Sequence, residues 1–186
     1  MKIKSNSKGA DCSGEYPRPT NLSLKVKRDF FQRKIAIIAT LDSKGEEVSY
    51  LKELISRCGH KPLIIDVGSG GEARIPADIT AHEVARAGGA EIEEIRVSKE
   101  RRQVIDIIVK GAVAKLSDLC QAGEIDGIIS LGGLSSAVLA SSIMERIPWH
   151  IPKLIVSSAA SMPNSNRFFG PTGITMMHYQ TEGQKV

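Results

Sequence analysis

Four short stretches hold the residue types suited to gripping a small polar ligand. They are Leu41-Asp-Ser-Lys-Gly45, Asp66 to Gly71, Leu131-Gly-Gly-Leu-Ser-Ser136 and Ser157-Ser-Ala-Ala-Ser161, and each follows a short apolar run. Glycine lets a backbone approach a ligand closely, and free N–H groups at a helix start attract anions. Gly132 and Gly133 are placed for that task, with the hydroxyls of Ser135 and Ser136 as further donors. Ser157, Ser158 and Ser161 add hydroxyls in the fourth stretch. Lys44, between Ser43 and Gly45, is suited to neutralising a phosphate or carboxylate, and Asp42 to accepting from a ribose or base or to holding a hydrated metal. Asp66, two residues before Gly68, closes an apolar run where dinucleotide-binding folds keep a ribose-binding acid. The chemistry these residues suggest is recognition of an anion or nucleotide.

Each has a plainer explanation beside it. A Gly-Gly pair after a strand also makes a tight turn into a helix, Asp42 is equally placed to help cap one, Lys44 alone is a solvated side chain, and the serines form a polar turn. The first loop lacks GxGxxG, so a nicotinamide cofactor is poorly supported, and neither GxSxG nor the Walker pattern GxxxxGK[ST] occurs. His60, His82, His150 and His178 are scattered with no metal-ligand spacing. The residues therefore name no general base, no catalytic set and no metal site.

The elements that position these loops alternate. Ile35–Ala39 is a continuous apolar run of the kind a central parallel strand carries. Ser43-Lys-Gly-Glu46 reads as a capping box opening a helix with Val48, Leu51, Leu54, Ile55 and Cys58 on one face, stopped by Gly59. A strand follows at Leu63–Val67. Thr80-Ala-His-Glu83 reads as a second capping box, with Val84 and Ala87 in a short helix ended by Gly88 and Gly89. A long helix is expected from a Ser98 cap to about Ala122, with Val104, Ile108, Ala112, Leu116 and Leu119 as its buried stripe. Asp126–Leu131 is the next strand, then a helix carrying Val138, Leu139 and Ile143, a strand at Pro152–Val156 and a further one at Ile174–Met177. This alternation predicts an α/β, Rossmann-like doubly wound domain, with a mostly parallel sheet and helices on both faces. Such sheets bind ligands beyond the carboxyl ends of their strands, where all four polar stretches fall. The brevity of the sequence after the last strand suggests a domain that is cut short or is completed by another chain.

Composition fits a core of Ile, Val, Leu and Ala: apolar residues are 41% of 186, but aromatics only 4%. Residues 1–33 hold eight Lys/Arg against three Asp/Glu, and the remainder holds 17 against 18, so the excess charge belongs to a basic, loosely ordered extension. Residues 34–186 are the domain, with no nucleic-acid surface. No run approaches the ~18 apolar residues of a membrane span. Cys12, Cys58 and Cys120 form no CxxC pair, which fits a reducing, cytoplasmic setting.

The segments Ile37–Glu47, Ile64–Gly68, Ala77–Ile79, Asp126–Gly133 and Pro152–Ala159 together resemble the Tm-one-like ATP-binding domain family, over about residues 34–180. The first is the most specific, because strand, Asp, hydroxyl, Lys, Gly and two Glu occur in order. The chain departs from that pattern at Leu134-Ser-Ser136, where the family continues with glycine and threonine. The resemblance implies an ATP site, with or without magnesium, lined by Asp42, Ser43, Lys44, Gly132, Gly133, Ser135, Ser136 and the serines after Val156, with Asp66 and Gly68 at its border. It also implies a second α/β half, so the expected partners are a nucleotide and either further copies of the chain or a chain supplying that half. Two other roles stay open: half of a split enzyme acting on a small phosphorylated or acyl substrate, and a protein-interaction domain with a vestigial pocket.

Overall fold

The computed structural model describes residues 32–161 and 173–179. Five strands, β1 (Lys34–Ala39), β2 (Lys61–Asp66), β3 (Gly127–Gly132), β4 (Lys153–Ser157) and β5 (Ile174–His178), form one sheet in the order β2-β1-β3-β4-β5. Every pairing is parallel. The helices are α1 (Leu41–Arg57), α2 (Ala81–Gly88), α3 (Ile92–Val97), α4 (Arg101–Gln121) and α5 (Leu134–Met144), with a 3-10 turn at Ser158–Ser161. The expected α/β Rossmann-like sheet is present. The expected extension and the chain beyond Tyr179 lie outside the described residues.

Strand side chains alternate between two faces, and the two faces are covered unequally. Ala36, Ile38, Ile65, Ile128 and Ile155 pack under α2, α3, α4 and α5 in the larger core. Ile37, Ala39, Ile64 and Leu131 pack against Leu41, Val48, Leu51 and Ile55 of α1 in the smaller one. The long-helix stripe is largely as expected, with Ile108, Ala112 and Leu116 buried, joined by Val109 and Gly111. In α5 the buried residues are Ala137, Ala140, Ser141, Ile143 and Met144, so Val138 and Leu139 sit to the side of the packed face. Gly88 of α2 and Gly111 of α4 meet where these helices touch. A Cβ on Gly111 would lie 1.8 Å from the Val84 carbonyl oxygen, and one on Gly88 2.2 Å from that of Ile107.

The outer edge of β2 is closed by the segment leading into α2. Ile79 bridges Ile65 in parallel, and the Asp66 N–H donates to the Ile79 carbonyl at 2.9 Å. The Asp78 carboxylate accepts from the Ile64 N–H at 2.7 Å.

Helix boundaries follow caps, and two caps differ from expectation. The Thr80 box forms in full, and Gly89 closes α2 at φ 101°. Ser43, however, does not cap α1. The helix begins at Leu41 after Thr40 and bends at Lys44, whose φ/ψ is −121°/17°, while the Ser43 hydroxyl lies 3.0 Å from that of Thr40. Nor does Ser98 cap α4. It closes α3, a helix the periodicity does not reveal, and its hydroxyl accepts from the Glu100 N–H at 3.2 Å before α4 starts at Arg101. Gly59, at φ 83°, follows the end of α1 as expected.

Candidate functional site

The chain leaves β1 toward β2 on one side and returns to β3 on the other. The order therefore reverses between β1 and β3, and in open parallel sheets a crevice for ligands forms beyond the strand ends at that point. The register brings the ends to one edge: Ala39 pairs with Asp66, and Gly132 with Ser157. The segments that follow the strands, carrying Asp42 in the first turn of α1, Gly68, Gly133 and Ser158 in the 3-10 turn, thus share the carboxyl edge.

The end of β2 is a clamp. Asp66 is 3% exposed, and its Oδ1 accepts from the Leu41 N–H at 3.1 Å and the Gly68 N–H at 2.9 Å. It joins the start of α1 to the glycine loop. Burial raises its pKa; the two N–H bonds oppose that shift, and the nearby Asp42 charge adds to it. A raised carboxyl pKa stabilises the fold fully below the unfolded value and loses that contribution as pH rises through the folded one. Asp66→Asn keeps an acceptor and removes the buried charge. Its melting temperature relative to the parent is expected to improve as pH rises from 4 to 7. A difference constant across that range would exclude titration of Asp66 as its source.

Asp42 is placed differently. It makes no capping bond, and its Oδ1 is buried without a hydrogen-bond partner among the described residues. The glycine loop crosses directly over it: a Cβ on Gly70 would lie 2.7 Å from Asp42 Oδ2, and one on Gly68 3.4 Å from Oδ1. Gly70 is therefore the glycine this approach requires, whereas a Cβ on Gly68 would crowd Asp66 Oδ1 at 3.0 Å, and the loop leaves a carboxylate oxygen of Asp42 shielded but unsatisfied. A buried unpaired acceptor of this kind costs ~1–3 kcal/mol. From below, Arg96 of α3 secures the loop by donating to the Gly71 carbonyl at 2.8 Å and pairing with Glu72. Arg96 also lines a cavity of about 490 Å³ with Asp66, Thr80 and His82. Sequence reasoning missed Arg96 because it missed α3; Glu91 and Glu94 held the signal, since the Glu94 carboxylate accepts from the Glu91 N–H.

The remaining candidates divide. Lys44 pairs with Glu47 at 2.5 Å, and that bond raises its pKa. Gly45 is buried where a Cβ would meet that of Arg74 at 2.8 Å, which gives this glycine a packing reason. Gly132 has one too, since its Cβ would lie 2.5 Å from that of Ser136. Among the described residues Gly133 has none: it stands before α5 with no side-chain cap, and a Cβ added there would have none of their atoms within 4 Å. Ser135 is exposed and Ser136 half-buried. Ser157 is fully buried, and its hydroxyl accepts from the Ala159 N–H at 3.1 Å. Ser158 is half-buried and opens the 3-10 turn that Ser161 closes. Of the histidines, His60 accepts from the Arg33 N–H through Nδ1, and His82 lies 3.4 Å from Glu93. His150 stacks edge-on to the exposed Trp149, and His178 ends β5.

The profile of the family described as "Uncharacterised protein family (UPF0261) N-terminal domain" matches residues 33–182. The chain belongs to the UPF0261 family. A UPF0261 protein of Clostridium tetani is 38% identical over 146 residues, covering 78% of this chain and 36% of that protein. One of Brucella suis is 34% identical over 127 residues, covering 68% and 30%. The match thus spans about a third of these relatives. The UPF0261 domain contains, in the matched region, all four polar stretches, and no helix among its described residues is long and apolar enough to cross a membrane.

Proposed function

We propose that this UPF0261 domain binds a nucleotide, with ATP as the leading ligand, across the strand ends at the β1/β3 switch point. The observation that carries the reading is the Oδ1 of Asp42 at that point, buried with no partner among the described residues. A ligand reaches this acceptor once the glycine loop over it lifts, and a ribose hydroxyl, a base amine or a magnesium-bound water would then supply the missing donor. On the next strand, the uncapped start of α5 at Gly133 is open to a phosphate. Lys44, in the first turns of α1, is the cation proposed to meet such an anion. Its pair with Glu47 is partly exposed, and such pairs contribute only ~0.2–1 kcal/mol, so exchange for a phosphate is easy. Asp42 is also the residue suited to hydrated magnesium. The resemblance to the Tm-one-like ATP-binding domains supports the same ligand.

The test is a thermal-shift titration of the chain with ATP, ADP, NAD and inorganic phosphate, each with and without magnesium. A ligand specific to the folded state raises the melting temperature as its concentration passes Kd. A saturating shift with ATP that is lost in Asp42→Ala is expected. No shift with any of the four, or an undiminished shift in Asp42→Ala, would remove this site from the account.

A further inference from the structure

Among the described residues, the sheet face under α1 is only half covered. Five strands at ~4.8 Å spacing span about 19 Å between outer strands, whereas packed helices lie ~8–10 Å apart, so one helix cannot cover a face. The opposite face has α2, α4 and α5, while this one has α1 alone among the described residues. Parallel sheets are otherwise buried on both sides.

The uncovered half is a slot of about 870 Å³. Leu51 and Leu54 of α1 form one wall, and Ile129, Leu131 and Val156 of β3 and β4 form the floor. Further out on the same face, Met177 of β5 is 56% exposed. The slot runs beside α1 from Ser43 to Leu54, which at 1.5 Å per residue is about 16 Å. It has the length of a three-turn helix and lies where a neighbour of α1 would sit.

The exit of β5 identifies the occupant. Tyr179, the first residue after β5, lines the slot, so β5 ends at its rim. The family's longer members have such polypeptide: the matched region is described as an N-terminal domain and covers 36% of the Clostridium tetani protein. We propose that the slot seats an amphipathic α-helix contributed by the polypeptide that follows β5 in the longer members of the family, lying beside α1 with its apolar stripe on Ile129, Leu131 and Val156. This is independent of whether the strand ends bind a nucleotide.

Two experiments test it. The first is the crystal structure of the full-length Clostridium tetani relative, superposed on this domain. A helix from beyond the matched region, lying beside the counterpart of α1, is expected; an open slot, or one holding anything else, overturns the proposal. The second is sedimentation equilibrium of the 186-residue chain and its Leu54→Asp variant. Both are expected to be monomers. A parent dimer that Leu54→Asp dissociates, with unchanged circular dichroism, would put a second copy in the slot and overturn it as well.

Discussion

Gly111→Ala is expected to lower the stability of this domain by about 3 kcal/mol, the upper part of the range for overpacking. In most mid-helix positions the same change helps, because alanine is the better helix former by ~0.8–1 kcal/mol. Here the added methyl would lie 1.8 Å from the Val84 carbonyl oxygen and 2.8 Å from the Gly88 nitrogen. Those are backbone atoms of α2, and no rotamer change relieves them. The helices must separate, and with them Val84, Ala85, Ile108 and Ala112, all buried in the larger core. The melting temperature should fall by roughly 6–12 °C for a domain of this size. A midpoint equal to or above that of the parent would show that α2 and α4 do not cross this closely.

Gly133→Val is expected to leave the fold nearly intact and to weaken ATP binding by 100-fold or more. The position has φ −79° and ψ −165°, an extended conformation open to valine, and no neighbour among the described residues within 4 Å of a Cβ. The cost to folding is that of a poorer N-cap, about 1 kcal/mol. The branched side chain would stand over the first N–H groups of α5, where a phosphate needs direct access. Hydrogen bonds to a charged group contribute ~1.5–3 kcal/mol each, and two of them correspond to at least ~100-fold in Kd. Calorimetric titration with ATP, alongside a melt of the same sample, separates the two effects. Binding at parental strength in a folded Gly133→Val protein would exclude the start of α5 from the site. Gly132→Val is no substitute, because Ser136 leaves no room for its Cβ.

The strands were legible in the sequence as continuous apolar runs, most plainly in the buried central strands β1 and β3, and all five runs became strands. The Thr80 box was legible because its partners are three residues apart. Ser43-Lys-Gly-Glu46 presents the same pattern, yet the helix starts earlier. The Leu41 N–H is taken by Asp66, 25 residues away, and local spacing carries no trace of that bond. The candidate site divides in the same way. Asp42 and Gly133 were identifiable by type and place. That Asp66 is committed to two backbone N–H groups, that Ser157 is turned inward to Ala159, and that Gly45 and Gly132 answer to packing all depend on neighbours supplied by other strands and loops. Arg96 was hidden by the shortness of α3, six residues with only Ile92 and Ile95 buried.

The segment that seals β2 gives the sheet a direction of growth. With Asp78 and Ile79 bonded along that edge, no foreign strand can add there without displacing them. β5 stands at the opposite end of the order, so any strand addition is confined to its side. Two β5 edges meeting about a two-fold axis would pair antiparallel and leave only sealed β2 edges at both ends. Assembly by that route stops at two chains, whereas a sheet open on both sides can polymerise.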